Sequence, residues 1–319
     1  MQLKRAPEFA FIHHYLKKLS GPGSLNLTDD AALLEPEPGM EFVLTADSMV
    51  EGVHFLPNDP VDTIGRKLMR CNLSDLAGMG AIPVGYLMTL SLPRDKFDEN
   101  WFSLFCQGIS EDQKKFNVFL LGGDTTRSNH DLVLSMTMIG KVKQGQALRR
   151  NKAKSGDGIW VTGTIGDGAL GLLTLQGKVT DHKGYLAERY RLPKPRVNLL
   201  MGGIASAGMD ISDGLVQDLG HIVRESQIGA VVEISKIPCS EAALKLGDAY
   251  LLNCLTGGDD YELLLTIPPD QEGLAIKKAE AAGVPLTKIG YCTNQIGETC
   301  FLDDQGQEIN FQKSGWSHI

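Results

Sequence analysis

Residues 62–81 read DTIGRKLMRCNLSDLAGMGA, and the periodicity of this stretch decides how the rest of the chain is read. Ile64, Leu68 and Cys71 are spaced as on one face of an α-helix, which predicts a helix along nearly the whole stretch. Asp75 returns to the same apolar face. A carboxylate in that position requires a cation or a hydrogen-bonding partner, because burying a lone charge is costly.

Strand-like and helix-like segments alternate on both sides of this helix. Strands are predicted at 42–45, 86–92, 118–121, 132–142, 159–162, 230–234 and 261–267, and helices at 100–115, 215–225 and 271–282. The apolar run at 118–121 is expected to end at Gly122-Gly123, and the polar segment 176–195 is expected to lie on the surface.

A polar, glycine-containing stretch at 144–158 marks a domain boundary. The pattern predicts two domains, 1–145 and 146–319, of the α+β or α/β class.

Composition narrows the functional classes. The chain has 319 residues, 42% of them hydrophobic and 22% charged, with a net charge of −8. This acidity argues against nucleic acid as a partner, and the absence of a long apolar run argues against a membrane span. The first residues lack the apolar core of a signal peptide, so we expect a cytoplasmic protein with reduced cysteines.

Acidic residues beside small residues recur at the predicted ends of elements: Asp29, Asp30, Asp47, Asp75, Asp124, Asp210 and Asp213. For any one of them, a helix cap or a buried hydrogen bond is the ordinary explanation. For seven in the same pattern, a metal site becomes the better hypothesis. Oxygen ligands without His or Cys suit hard ions such as Mg²⁺.

The stretch MDISDGL at 209–215 has the composition of a helix start. Ser212 or Asp213 is expected to cap the helix that begins near Leu215, and sequence alone favours this plain cap. The alternative is that free N–H groups at this helix start hold a phosphate or its metal ion.

Other nucleotide-binding signatures are absent or incomplete. Gly166-Asp-Gly168-Ala-Leu-Gly171 fits the dinucleotide pattern GxGxxG, with Glu188 twenty residues beyond Gly168. The second apolar strand of a Rossmann unit does not follow, so a tight turn is favoured over a nicotinamide site. The P-loop pattern and the HRD and DFG motifs of protein kinases are missing.

The motifs in this order resemble those of the thiamine-monophosphate kinase family, which belongs to the aminoimidazole-ribonucleotide-synthetase superfamily. The resemblance rests on DDAA at 29–32, ADSMVEGVHF at 46–55, NLSDLAGMGA at 72–81, GGDTTR at 122–127, VTGTIGDGALGL at 161–172, MDISDGL at 209–215 and GGDDYEL at 257–263. It implies an N-terminal sheet that forms a barrel in a homodimer, and a C-terminal α/β domain.

The same resemblance implies roles for individual residues. Several Mg²⁺ ions would be held by Asp30, Thr45, Asp47, Asp75, Asp124, Asp210 and Asp213. ATP would be contacted by Gly123, Arg150 and Ser212, and thiamine phosphate by His54, Glu262 and Trp316. Two positions depart from the family pattern, Ala46 in place of a hydroxyl residue and Cys106 in place of a frequent Tyr. Without the resemblance, Trp316 is equally well explained as an anchor for the chain end.

The implied reaction is phosphoryl transfer from ATP to thiamine monophosphate, giving thiamine diphosphate. It brings two polyanions together on an acidic protein, so metal ions rather than side chains must offset the charge. The acceptor phosphate is already ionised, so no catalytic base is expected. Two alternatives stay open: a sister enzyme with another phosphoryl acceptor, and a non-catalytic regulator that binds Mg²⁺ and nucleotide.

Overall fold

The structure is a computed structural model that describes residues 12–29, 31–93, 98–181, 183–311 and 315–316. Asp30, one of the predicted metal ligands, lies outside the described residues. The chain forms two compact units: the first comprises Met1–Leu76 and Ile82–Gln144, and the second comprises Ala77–Ala81 and Gly145–Ile319. Within the described parts of the chain, no helix is long and apolar enough to cross a membrane.

The first unit is a four-stranded sheet with two long helices. Its elements are β1 (Met40–Val50), α1 (Val61–Gly78), β2 (Ile82–Leu92), α2 (Glu99–Phe116), β3 (Phe119–Arg127) and β4 (Val133–Lys143). The strand order is β1-β4-β2-β3. Strand β4 pairs antiparallel with β1 and with β2, whereas β2 and β3 are parallel and are joined through α2.

Residues of alternating polarity give this sheet one covered face and one open face. In β4, Leu134, Met136 and Met138 are fully buried, and the residues between them are only partly buried. In β1, Phe42 and Leu44 are exposed on the open face. Side chains alternate between faces along a strand, so each residue's position in the register fixes which face it reaches.

Helix α1 confirms the prediction from its sequence. Ile64, Leu68 and Cys71 are buried, and Asp75 is partly buried along the same helix. The helix therefore delivers a carboxylate to its apolar side.

Strand β3 differs from its prediction, because it continues through Gly122-Gly123 to Arg127 instead of ending there. Gly123 has φ +153°, and a Cβ at this position would lie 1.8 Å from the carbonyl oxygen of Met88 in β2. The glycine therefore permits close pairing of the two strands, which the sequence analysis misread as a strand end.

The second unit is a six-stranded mixed sheet with helices packed against it. Its strands are β5 (Gly158–Thr162), β6 (Ala207–Asp210), β7 (Gly229–Glu233), β8 (Leu263–Ile267), β9 (Leu286–Thr293) and β10 (Thr299–Leu302). Its helices are α3 (Asp167–Leu175), α4 (Tyr185–Arg191), α5 (Leu215–Ser226), α6 (Glu241–Leu244), α7 (Leu251–Thr256) and α8 (Glu272–Ala281). The strand order is β10-β7-β9-β5-β8-β6.

The antiparallel pairing of β8 with its two neighbours creates the edge where polar residues collect. The last residue of β6, Asp210, pairs with the first residue of β8, Leu263. The N–H of Tyr261 donates to the carbonyl of Ile211, and the N–H of Ile211 donates to the carbonyl of Glu262, both at 2.8 Å. The segments after β6 and before β8 are therefore held side by side.

The predicted surface excursion at 176–195 is wrong in part. It contains α4, where Leu186, Arg189 and Tyr190 are buried. The polar composition of the segment indicated exposure to solvent. Arg189 is nevertheless buried, because an ion pair with Glu262 neutralises its charge inside the protein.

Candidate functional site

Three of the predicted metal ligands meet in the first unit. Thr45 and Asp47 lie two positions apart on β1, so they share a face with the buried residues Val43 and Met49. Helix α1 brings Asp75 to the same place, where its carboxylate accepts a hydrogen bond of 2.5 Å from the hydroxyl of Thr45. The strand and the helix together build a cluster of oxygen atoms, which we call the Thr45–Asp47–Asp75 cluster.

The electrostatics of the Thr45–Asp47–Asp75 cluster favour a bound cation. Burial, and then the nearby Asp75 carboxylate, raise the pKa of Asp47 from 3.8 to about 7. Within the described residues, no donor or cationic group forms a hydrogen bond or an ion pair with the Asp47 carboxylate. Oxygen donors of this kind, two of them carboxylates, fit Mg²⁺.

Gly123 and Asp124 lie elsewhere in the first unit. Asp124 is exposed and pairs in register with Thr89, and both line a groove of about 730 Å³ on the open face of the sheet. The structure thus does not bring Asp124 to the Thr45–Asp47–Asp75 cluster, and its role as a metal ligand stays a prediction.

The structure shows the surroundings of both positions that depart from the family pattern. Ala46 is exposed and lies on the face of β1 opposite to Thr45 and Asp47. Cys106 is buried in α2, and its burial raises the pKa of its thiol to about 12. Neither side chain supplies a charge to the cluster.

His54 is held in a defined orientation by the turn after β1. The N–H of Val50 donates to Nδ1 of His54 at 3.0 Å, and the ammonium of Lys67 donates to its carbonyl at 2.9 Å. In the neutral ring this leaves the proton on Nε2, so His54 offers a donor there. Its contact with a substrate stays a prediction.

In the second unit, the connection between β6 and α5 carries Asp210, Ser212 and Asp213. The expectation that Ser212 or Asp213 caps α5 is wrong, because the N-cap residue is Gly214 and neither side chain caps the helix. Instead, Asp218 reaches back from the first turn. One of its oxygens accepts the N–H groups of Ser212, Asp213 and Gly214 at 3.0, 3.1 and 3.2 Å.

This reversed cap also changes the phosphate hypothesis. The three N–H groups that were expected to be free for a phosphate are already occupied by the chain's own carboxylate. Burial and the nearby Asp213 raise the pKa of Asp218 to about 7, against the opposing effect of the three N–H groups. Asp218 is fully buried and was missed from the sequence.

Asp218 belongs to a second cluster of possible metal ligands. Ligand atoms of Asp213, Asp218 and His221 all lie within 4.8 Å of one another. Burial, followed by the positive charges of Arg150 and Arg224, lowers the pKa of His221 below 6.5. Asp218 and His221 are three residues apart on α5, which is a helical-face spacing that the sequence could have revealed.

Arg150 is positioned by a short turn that rests on α5. It begins the 3₁₀ turn Arg150–Lys152, and its carbonyl accepts the hydroxyl of Ser226 at 2.6 Å. The guanidinium is close enough to His221 to influence its pKa. Arg150 therefore supplies an exposed positive charge beside Asp213, Asp218 and His221.

Glu262 is held by several hydrogen bonds from neighbouring side chains. Its carboxylate is fully buried and accepts two hydrogen bonds of 2.6 Å from Arg196, one of 3.1 Å from Arg189 and one of 2.7 Å from the hydroxyl of Thr162. Neither arginine was predicted as a site residue: Arg189 lies in the segment 176–195 that was assigned to the surface, and Arg196 directly follows it. A direct contact of Glu262 with substrate stays a prediction.

In the glycine-rich turn at 166–171, two backbone N–H groups are bound by a side chain of the protein. The N–H groups of Gly166 and Gly168 donate to the carboxylate of Asp260 at 2.7 and 3.0 Å. Burial raises the pKa of Asp260 well above its usual value. A Cβ on Gly168 would lie 2.2 Å from the carbonyl oxygen of Asp259, so close packing explains the glycine. The N–H groups of Gly166 and Gly168 are therefore not available to the pyrophosphate of a nicotinamide cofactor.

Trp316 is fixed through its backbone, whereas its side chain is 53% exposed. Its N–H donates to the carbonyl of Asp213 at 3.0 Å, and its carbonyl accepts the side-chain amide of Gln217 at 2.9 Å. The same amide donates to the Asp213 carboxylate at 3.1 Å. The indole is therefore held beside Asp213 and is accessible to a ligand.

Comparison with known families gives two matches that together cover most of the chain. The AIR synthase related protein model for the N-terminal domain matches residues 28–142, and the model for the C-terminal domain matches residues 154–303. The thiamine-monophosphate kinase of Caulobacter vibrioides is 39% identical over 321 positions, covering 98% of this chain and 90% of that protein. The Escherichia coli K12 kinase is 37% identical and covers 98% of each chain.

Solved structures agree with these matches. The crystal structure of thiamine-monophosphate kinase from Stenotrophomonas maltophilia K279a has a TM-score of 0.81 at 41% identity, covering 89% of this chain and 91% of that one. AaThiL complexed with AMPPCP and TMP has a TM-score of 0.77 at 28% identity, covering 100% and 99%. These matches confirm the type of two-domain fold that the sequence predicts.

The raised pKa of Asp47 predicts how the stability of the metal-free protein depends on pH. The folded protein keeps a proton on Asp47 up to a pKa of about 7, whereas the unfolded chain loses it near 3.8. This contribution to stability is present at low pH and is lost as the pH rises through that interval. In a chelating buffer at about pH 8, we expect Asp47→Asn to raise the free energy of unfolding by about 1–3 kcal/mol.

Urea unfolding of wild type and variant at about pH 5 and about pH 8 measures this effect. Asp131→Asn, at an exposed site of the same unit, serves as the control and should change little. An equal gain from Asp47→Asn at both pH values would contradict the shifted pKa.

Proposed function

We propose, from the premise that this chain belongs to the AIR synthase related family and to its thiamine-monophosphate kinase members, that it transfers the γ-phosphoryl group of ATP to thiamine monophosphate with the help of Mg²⁺. The products are ADP and thiamine diphosphate. The complex of a relative with AMPPCP and TMP supports this pair of substrates. The cytoplasmic location expected from the sequence stays a prediction.

The main support for a metal requirement is the Thr45–Asp47–Asp75 cluster. Two carboxylates are close enough for one to raise the pKa of the other, on the covered face of a sheet. Mg²⁺ bound there would remove this repulsion and hold both residues ionised. The resemblance alone proposes Asp30, Asp124, Asp210 and Asp213 as ligands of further Mg²⁺ ions.

The chain's own residues bind and position the substrates. Arg150 offers an exposed guanidinium to the nucleotide phosphates. Gly123 and Ser212 are proposed as further ATP contacts on the basis of the resemblance alone. When bound, Mg²⁺ supplies positive charge that offsets the charge of the two phosphorylated substrates. The acceptor phosphate is already ionised, so no residue is required as a general base.

Three residues are proposed to recognise thiamine monophosphate. Trp316 offers an aromatic face to the cationic thiazolium or to the pyrimidine ring. His54 offers an Nε2–H donor in its neutral form. Glu262, buried against Arg189 and Arg196, contributes negative charge within a network that holds its orientation.

The direct test is a phosphoryl-transfer assay with ATP, Mg²⁺ and thiamine monophosphate, in which thiamine diphosphate is measured by chromatography. Other phosphorylated metabolites serve as alternative acceptors in parallel reactions. ATP consumption that yields no thiamine diphosphate, but does phosphorylate another acceptor, would assign the chain to a sister activity. Nucleotide binding without any transfer would reject the enzymatic function.

Removing a proposed metal ligand should abolish most of the activity. We expect Asp47→Asn, Asp75→Asn and Asp213→Asn each to lower kcat about a hundredfold or more, because each loses charge that holds Mg²⁺. Asp124→Asn tests the ligand that lies on the open face. Asp270→Asn, at an exposed loop position, is the control and should keep wild-type turnover. Folded variants with near-normal rates at ordinary Mg²⁺ concentrations would reject the metal assignment.

A homodimer formed through the first unit is part of the proposal. The open face of its sheet exposes large apolar residues, with Leu44 at 65%, Phe42 at 43%, Ile82 at 42% and Leu87 at 38%. Apolar side chains grouped on a sheet face are typical of a surface covered by a partner.

We expect Leu44→Asp to convert the dimer into a monomer, because it places a charge in the centre of this apolar face. Light scattering at micromolar concentration measures the mass. Leu274→Asp, at a leucine of the second unit that is 51% exposed, is the matched control and should remain dimeric. A monomeric wild-type protein would contradict the proposal.

Trp316 provides a test of substrate recognition. Its segment is anchored by backbone atoms, which Trp316→Ala retains, so the variant removes the aromatic face with little effect on the anchor. We expect the Kd of thiamine monophosphate to rise about tenfold, corresponding to about 1–2 kcal/mol. ATP affinity and the melting temperature should change little, and Trp316→Phe should retain most of the binding. Equal weakening of both ligands together with a lower melting temperature would instead assign Trp316 to anchoring the chain end.

A further inference from the structure

Two cysteines that are far from the proposed metal ligands in sequence meet in the second unit. Cys254 lies on α7, is 5% exposed and belongs to a cluster of buried side chains with Leu170, Leu186 and Ala243. Cys239 is partly buried between β7 and α6 and packs against the same cluster. The two side chains pack in one cluster, and each thiol is close enough to affect the pKa of the other.

Only one of the two thiols faces open space. Cys239 lines a cavity of about 1090 Å³ together with Thr164, Tyr185 and Ser240. This cavity is wide enough for small solutes to enter. Cys254 is not among its lining residues, so a reagent that enters the cavity meets Cys239 first.

The contact between the two thiols makes them chemically unequal. The neighbouring Cys254 thiol lowers the pKa of Cys239 below 9.0, although burial and the Asp167 carboxylate oppose this effect. Cys239 and burial in turn raise the pKa of Cys254. Burial raises the pKa of Cys106 and Cys292 to about 12, so these thiols are less available as thiolates.

We propose that Cys239 and Cys254 form a redox-active thiol pair, in which a peroxide oxidises Cys239 and Cys254 then closes an intramolecular disulfide. In the first step the Cys239 sulfur attacks one peroxide oxygen, the O–O bond breaks, and a sulfenic acid and water form. In the second step the Cys254 sulfur attacks the Cys239 sulfur, the S–O bond breaks, and a second water leaves. Two thiols lose two electrons and two protons in total, and the peroxide accepts both.

The position of Cys254 indicates where the disulfide would act. Its side chain packs on Gly166, at the turn whose N–H groups bind Asp260. Helix α7 leads directly into the segment that pairs with Ile211 and Ser212 through the N–H groups of Tyr261 and Asp259. The bond would tie α7 to the segment between β7 and α6 and constrain the connection that follows α7.

Peroxide treatment of the full chain, followed by alkylation of free thiols and mass spectrometry, tests the proposal. We expect wild-type protein to lose about 2 Da, the mass of two hydrogen atoms, and to yield one cross-linked peptide pair containing Cys239 and Cys254. Dithiothreitol should restore both thiols. Cys300→Ser, at a partly buried thiol on β10, is the matched control and should still form the cross-link.

Variants at the two positions distinguish the thiol that the peroxide oxidises from the thiol that closes the disulfide. Cys239→Ser should abolish the cross-link and leave Cys254 reduced. Cys254→Ala should stop at oxidised Cys239, with a gain of about 16 or about 32 Da. If Cys254→Ala does not fold, Cys254→Ser replaces it, and the wild-type peptide map decides the question without either variant. Three results with the wild-type protein would overturn the proposal. They are accumulation of Cys239 as sulfinic acid, a cross-link through other cysteines, and an unreacted Cys239 under conditions that oxidise Cys300.

Discussion

The burial of carboxylates is the constraint on which the rest of this structure depends. In the second unit three buried carboxylates are matched by donors of the chain: Asp218 and Asp260 by backbone N–H groups, and Glu262 by two arginines and a hydroxyl. In the first unit Asp47 lies near a second carboxylate, and burial and that charge raise its pKa to about 7. The matched carboxylates hold the fold together, and the Asp47–Asp75 pair is where we propose that a cation binds.

The same constraint explains why the proposed reaction depends on metal ions. The start of a helix commonly binds phosphate through its free N–H groups. Here the starts of α3 and α5 are both occupied by acidic side chains of the chain itself, Asp260 and Asp218. Since the protein is acidic overall, we propose that the charge of two phosphorylated substrates is offset by Mg²⁺ and by local cations such as Arg150.

Secondary structure was predicted correctly from the sequence wherever a single hydrophobic periodicity ran through a whole helix or strand. The helix at 61–78 and the strands around 42–45, 86–92 and 132–142 were predictable from spacing, and so was the position of Asp75 on the apolar side of its helix. The predictions were wrong where a contact between residues distant in sequence determined a structure that the local sequence did not indicate. Gly122-Gly123 resembled a strand end, but it permits close pairing with Met88. The segment around α4 resembled a surface loop, because Arg189 is neutralised by a glutamate more than seventy positions away.

Sequence by itself determined the two-domain organisation of the fold family, and it predicted the chemical type of the site and most of its candidate residues. These depend on residue identity and on short spacings, which are properties of the chain alone. The tertiary structure alone decided which carboxylates are neutralised and which are not, because hydrogen bonds such as Asp218 to Ser212 and ion pairs such as Arg196 to Glu262 depend on distances in space. It also decided that Thr45, Asp47 and Asp75 meet whereas Asp124 lies on the other face of the sheet, since the strand register fixes the direction of each side chain.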